Sequence, residues 1–180
     1  MKRLFLSMLV ALMALASWAV NNDQYTIIVS LDGFRWDYCE AYNTPFLNSM
    51  AEKGVKAVMS PSFPSKTFPN HYTLATGLVP DHHGIIANSF RIRATGKKYS
   101  LGNAETRSDT RNYGGDPIWL TAKRQGMTTA TVYWVGSDIP IKGGYANYWQ
   151  DYQKKPLLTD VERADEVVRL LQLPESERPH

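Results

Sequence analysis

The stretch that most constrains this chain is TIIVSLDG, residues 26–33, a continuous apolar run ending in an acid and a glycine. A strand with one wet face alternates apolar and polar residues. An unbroken run instead predicts a strand buried on both faces, as in a parallel sheet flanked by helices. VKAVMS at 55–60 and the β-branched TTATVYWVG at 128–136 predict further strands. Helical signals separate them. In TPFLNSMAEKG, Thr44 is placed as N-cap, Pro45 at the first helical position and Gly54 as the stop, with Phe46, Leu47 and Met50 on one side. In HYTLATGL, Tyr72, Leu74, Ala75 and Leu78 are spaced for a helix that stops near Gly77. DPIWLTAKRQG predicts another, with Asp116 as cap, Pro117 first and Gly126 closing. In LLTDVERADEVVRLLQLP the expected apolar stripe is Val161, Ala164, Val167, Val168 and Leu171. Residues 90–115, polar and rich in turn formers, read as a surface excursion with a hairpin. This order of elements predicts an α/β layered domain with a mainly parallel sheet. Ligands of such sheets sit at the carboxyl ends of the strands. Asp32, the turn at 65–67 and Asp138 each follow a strand, so they are expected to converge on one edge.

The totals suit one globular domain: 180 residues, 43% of them hydrophobic and 21% charged. A net charge of +3, with no Lys/Arg cluster, argues against a nucleic-acid scaffold; a nucleic-acid-related ligand would be a small nucleotide. Lys2 and Arg3, then FLSMLVALMALA, then Ser17-Trp18-Ala19 have the layout of a signal peptide over residues 1–19. An exported product is expected, periplasmic or secreted. The apolar run is too short and too punctuated for a permanent membrane span. Cys39 is the single cysteine, so no intrachain disulfide framework exists and packing or bound metal must supply stability. It reads as a free structural thiol.

Candidate chemistry concentrates in PSFPSKTFPNHYTLATGLVPDHHGIIAN, residues 61–88. Its turn delivers Lys66 and Thr67 to a helix start, with Pro69 in the first turn, where its missing N–H costs nothing. A hydroxyl at a helix N-terminus either caps the helix or sits beside N–H groups and a positive dipole end that favour a phosphate or an alkoxide. Taken alone, Thr67 is a cap. As a nucleophile it needs activation, and no base claims it by spacing, although His71 lies one helical turn later. Metal coordination is then the better route, with Asp32 as a hard oxygen ligand at a strand end, although Asp32 taken alone reads as a helix cap or turn residue. Lys66 and Asn88 could hold phosphoryl oxygens, although Asn88 taken alone reads as a turn residue. His82 and His83 precede a glycine, lack a partner at a recurring ligand spacing, and read as a solvated turn.

VSLDGFRWDY, TPFLNSMAEKGVKA, PSFPSKTFPNHYTLATGLVPDHHGIIANSF, YWVGSD and LLQLPESERPH, in that order, resemble the nucleotide pyrophosphatase/phosphodiesterase family (type I phosphodiesterases) of the alkaline phosphatase superfamily. The likeness spans nearly all of residues 20–180 except the excursion around 91–112, and implies the N-terminal part of a phosphodiesterase catalytic domain. The implied fold is an alkaline-phosphatase-like three-layer α/β/α sandwich with a mainly parallel sheet. The implied chemistry is zinc-dependent hydrolysis of nucleotide phosphodiester or pyrophosphate bonds, with two zinc ions and a threonine that is transiently nucleotidylated. By the same resemblance Thr67, in SKTFPNHY, is the nucleophile and a zinc contact, and Asp32, in LDGF, is a zinc ligand. Asn88, in GIIANS, donates to the phosphoryl oxygen, Phe68 and Tyr152 pack on the nucleobase, and Lys66, Trp134 and Asp138 lie near the substrate.

In the family the remaining zinc ligands, an acid, several histidines and an Asp-His pair, follow the segment matching LPESERPH. A chain stopping at His180 is therefore expected to be C-terminally incomplete as a fold, to lack most of the metal site, and to hydrolyse little on its own. His180, in a polar tail, is not read as a substitute ligand. Other readings are a phosphatase or lipid-headgroup phosphodiesterase of the superfamily, and a non-catalytic secreted nucleotide-binding remnant. A modified cysteine or serine, as in sulfatases, is argued against by Thr67. The oligomeric state is open.

Overall fold

The computed structural model describes residues 24–152 and 154–180; the expected signal peptide at 1–19 lies outside the described residues. The helices are α1 (Tyr38–Ala41), α2 (Pro45–Lys53), α3 (Thr67–Thr76), α4 (Pro80–His83), α5 (Ala104–Arg107), α6 (Ile118–Arg124) and α7 (Asp160–Leu171). The strands are β1 (Ser89–Arg91), β2 (Lys98–Ser100), β3 (Ala130–Thr131) and β4 (Tyr148–Trp149). β1 and β2 form an antiparallel hairpin that pairs Phe90 with Tyr99. β3 and β4 form a parallel pair, Ala130 opposite Tyr148. The α/β class therefore holds, with the parallel ladder short. No helix among the described residues is long and apolar enough to cross a membrane.

Two of the expected strands are absent. Residues 26–33 and 55–60 form no ladder with any described segment. A parallel strand exists only by pairing with neighbours on its edges, so an apolar run alone does not make one. Their side chains stay in the open instead: Val29 is 76% exposed and Val55 95% exposed.

The punctuation of the helices is legible residue by residue. Pro45 opens α2 and Gly54 ends it. Gly77 ends α3 in the left-handed conformation (φ 69°), its N–H donating to the Thr73 carbonyl. In α3 the buried face is Pro69, Tyr72 and Ala75, while Leu74, expected in the stripe, is exposed. α6 begins at Ile118, one residue later than expected, with Pro117 as its N-cap. Asp116 is not the cap: it pairs with Lys142 at 2.7 Å and Arg124 at 3.1 Å. α7 has a reciprocal capping box between Thr159 and Glu162. Its packed face runs through Arg163, Glu166, Val167, Leu170 and Leu171, leaving Val161, Ala164 and Val168 exposed, a rotation from the expected stripe. These three positions lose because Arg163 donates to the Leu158 carbonyl and lies over the Tyr133 ring, which turns that side inward.

The core is aromatic: Tyr72, Tyr99, Tyr113, Trp119 and Leu120 pack with Ile85, Ile139, Ile141 and Ala146. Tyr72 meets Tyr113 edge to face, and the Tyr99 and Tyr113 hydroxyls are 2.9 Å apart. Burial pushes the ionisation of all three tyrosines upward, so the cluster stays neutral. The 90–115 excursion thus corrects its surface reading, since Tyr99, Arg107 and Tyr113 carry it into the core. The same holds for His83, expected in a solvated turn. It is fully buried, its Nδ1 accepting from the Ile85 N–H and its Nε2 3.0 Å from Thr73 Oγ1, while His82 remains exposed.

Candidate active site

Lys66 occupies the N-cap position of α3 in extended conformation and makes no capping bond with its side chain. Thr67 is the first helical residue, and its hydroxyl does not cap the helix. It donates to Asp32 Oδ2 at 3.1 Å. The capping function falls to Asn88, whose Oδ1 accepts from the Phe68 N–H at 3.1 Å. That bond spends the oxygen end of the Asn88 amide and leaves its Nδ2–H groups as the end able to donate to an anion. A hydroxyl, a carboxylate and an amide donor thus meet at the positive end of a ten-residue helix.

The turn that delivers Thr67 is held by Asn70, a residue the sequence reading did not single out. Asn70 Oδ1 accepts from Ser62 N at 2.8 Å, and Nδ2 donates to the Pro64 and Lys66 carbonyls at 3.0 Å each. One amide therefore fixes both ends of the turn, and its position one helical turn past Lys66 was the available signal. His71 does not act on the Thr67 hydroxyl. Its Nδ1 donates to the Thr67 carbonyl at 2.8 Å, which leaves Nε2 to face Ser30 Oγ at 2.9 Å. Ser30 stands two residues before Asp32, so this bond steadies the segment that carries the carboxylate. Trp134 joins the same helix: Nε1 donates to the His71 carbonyl at 3.0 Å and the ring meets the imidazole edge-on at 5.6 Å. Phe68 packs half-buried against the aromatic core.

The remaining expected residues form a second cluster. Asp138 has only 5% of its side chain exposed and its Oδ2 lies 3.1 Å from Arg107 Nη1, close enough for an ion pair but without hydrogen-bond alignment. Burial holds its carboxyl above the ordinary range, against the pull of Arg107. The Arg107 guanidinium carbon is also 5.4 Å from the centroid of the Tyr152 ring. Tyr133 meets that ring edge-on at 5.7 Å from a strained backbone with φ 54°, and its hydroxyl accepts from the Leu158 N–H. Asp32 and Thr67 do meet, though not at strand ends, since residues 26–33 and 55–60 form no ladder, whereas Asp138 is engaged with Arg107 inside the protein. Arg107 gave no sequence signal: a buried ion pair between distant segments has no spacing to read.

Residues 26–180 match the family described as type I phosphodiesterase / nucleotide pyrophosphatase. The chain belongs to this family. Among similar proteins, bovine ectonucleotide pyrophosphatase/phosphodiesterase family member 3 is 39% identical over 156 residues, 85% of this chain and 18% of the relative. Venom phosphodiesterase 2 of Crotalus adamanteus is also 39% identical over 156 residues, 85% of this chain and 19% of the relative. Murine ectonucleotide pyrophosphatase/phosphodiesterase 5, solved in an inactive threonine-to-alanine form in complex with AMP, superimposes with a TM-score of 0.77 at 30% identity, covering 86% of this chain and 41% of that one. The expected α/β, alkaline-phosphatase-like class is the fold of these neighbours, and the chain spans under a fifth of the bovine and venom sequences.

Asp32 and Thr67 offer adjacent oxygens, but no group of three His, Cys, Asp or Glu side chains that could hold a metal lies among the described residues. A catalytic zinc takes three protein ligands. The described residues do not by themselves fit a zinc site.

Proposed function

We propose that this chain carries the nucleophile half of a nucleotide phosphodiesterase/pyrophosphatase site, with Thr67 as the residue that takes up the nucleotidyl group. The observation that carries the reading is the Thr67 hydroxyl donating to Asp32 at 3.1 Å from the first residue of α3. In the first step the Thr67 oxygen forms a bond to phosphorus, the bond from phosphorus to the leaving-group oxygen breaks, and the hydroxyl proton moves toward Asp32. Asn88 Nδ2 and Lys66 Nζ are the donors for the phosphoryl oxygens as charge develops on them. Water then hydrolyses the nucleotidyl-threonine. Phe68 and Tyr152, with Trp134 and Asp138 nearby, form the nucleobase side; AMP in the murine neighbour supports a nucleotide ligand. The reading includes zinc, with Asp32 as one carboxylate ligand, and zinc would supply positive charge beside the phosphoryl group. It also includes residues 1–19 as a signal peptide, residues 20–180 as part of a catalytic domain, and an exported, periplasmic or secreted product; the ectoenzyme and venom relatives support export.

The test is to express the chain with the sequence that flanks it in its natural reading frame, purify it with zinc, and supply a nitrophenyl nucleotide ester and a choline phosphodiester side by side. Acid quenching followed by peptide mass spectrometry should place a nucleotide adduct on the peptide containing Thr67. Turnover of the nucleotide ester that survives Thr67→Ala without an adduct would sink the reading. Preference for the choline diester would turn it toward lipid headgroups.

A further inference from the structure

The 90–115 excursion carries a buried cation that lies beside Tyr152. Arg107, the last residue of α5, is 5% exposed, an unusual place for a guanidinium unless both its charge and its planar faces are engaged. Its charge is met by Asp138, whose side chain is only 5% exposed. Its guanidinium carbon lies over the Tyr152 ring, 5.4 Å from the centroid, within cation–π range. Tyr152 itself is 43% exposed, so part of its surface faces solvent. Lys155 Nζ also comes within 5.1 Å of the ring, but from an exposed, flexible side chain that is displaced at little cost. Tyr133 closes the edge.

We propose that Arg107 is a positioning residue that fixes the Tyr152 ring as a stacking platform for the base of a nucleotide, with the buried Asp138 carboxylate anchoring the guanidinium from behind. The proposal rests on the reading of Tyr152 as part of the nucleobase side. An exposed tyrosine at the end of a loop would lose rotamer freedom each time it stacked on a ligand; a guanidinium held in the protein interior removes that loss before the ligand arrives. The consequence is selective: Arg107 acts on the affinity for the base and leaves the phosphate side of the ligand alone. Asp138 serves this arrangement by neutralising Arg107, which explains why its carboxylate is turned inward.

The test compares AMP with ribose 5-phosphate, which carries the same phosphate and no base, by titration calorimetry on the chain expressed in its natural reading frame. Arg107→Met removes the charge and leaves Asp138 without a counterion, so Arg107→Lys is made beside it; lysine keeps the charge and loses the guanidinium over the ring. Arg107→Lys should weaken AMP about fivefold and Arg107→Met about tenfold, with ribose 5-phosphate changed less than about twofold in both. Combined with Tyr152→Ala, either substitution should add nothing to the loss caused by Tyr152→Ala alone. Equal weakening of both ligands, or unchanged AMP affinity in both variants, overturns the positioning role. A wild-type chain that binds AMP no better than ribose 5-phosphate overturns the Tyr152 reading itself, and this proposal with it.

Discussion

Thr67 lies where two differently built stretches meet. On one side, α3 is packed into a core in which Tyr72, Ile85, Tyr99 and Ile141 have no exposed surface beyond a percent or so. On the other, none of residues 24–60 is buried, and Ile27, Ile28 and Leu31 are each more than half exposed. The second stretch is attached by polar clamps: Ser30 to His71, Asp32 to Thr67, and at its start Tyr25, which stacks on His180 at 4.8 Å and accepts a bond from Arg178. The difference teaches that the hydroxyl and its acceptor are placed by different forces. Packing fixes Thr67 and hydrogen bonds fix the Asp32 carboxylate. Substitutions on the two sides should therefore separate stability from activity.

The largest effect is expected at the seam. Thr67→Ala should lower kcat for a nucleotide ester by at least about 10³-fold while leaving the melting temperature nearly unchanged, because the hydroxyl packs against nothing that the core needs. A matching loss of stability would mean that the seam belongs to the core. Next comes the packed side. Trp119→Ala, at a position only 6% exposed, should cost about 3–5 kcal/mol in denaturant unfolding. Val29→Ala, at 76% exposure, should cost less than about 0.5 kcal/mol in the same experiment.

How far the sequence carries differs across the same seam. The α3 corner is legible because its signals are local: Pro69 and Gly77 bracket the helix, and Thr67 precedes them at the start. The strands at 26–33 and 55–60 are not, because an apolar run states a need for cover and pairing without supplying either. Arg107 and His83 are missed for a related reason. A polar residue in the interior is justified only by partners elsewhere in the chain, Asp138 for one and Thr73 with the Ile85 N–H for the other.

A smaller effect tests the packed side through pH. Burial lowers the pKa of His83 below its ordinary 6.5, so the unfolded chain binds the proton more tightly than the folded one. The stability this histidine allows is complete above pH 6.5 and is lost as the pH falls below that value. Melting curves should show a lower Tm on acidification, and His83→Gln, which takes up no proton there, should show a smaller drop. Equal drops would remove His83 from the account. Another small effect on stability belongs to the clamps: Ser30→Ala deletes one bond to His71 and should cost about 0.5–1.5 kcal/mol, yet lower turnover several-fold by loosening Asp32. If Ser30→Ala changes stability but not turnover, the division between the two sides fails.

Tyr133 carries a different kind of consequence. Its φ of 54° is one that glycine or asparagine adopts freely and a tyrosine adopts at a cost of about 1–2 kcal/mol. The ring offsets part of that cost, because its hydroxyl accepts from the Leu158 N–H, Arg163 lies over its face and its edge meets Tyr152. Tyr133→Gly or Tyr133→Asn should relieve the backbone while losing those contacts, and on the proposed reading of Tyr152 either variant should hold AMP more weakly than the parent.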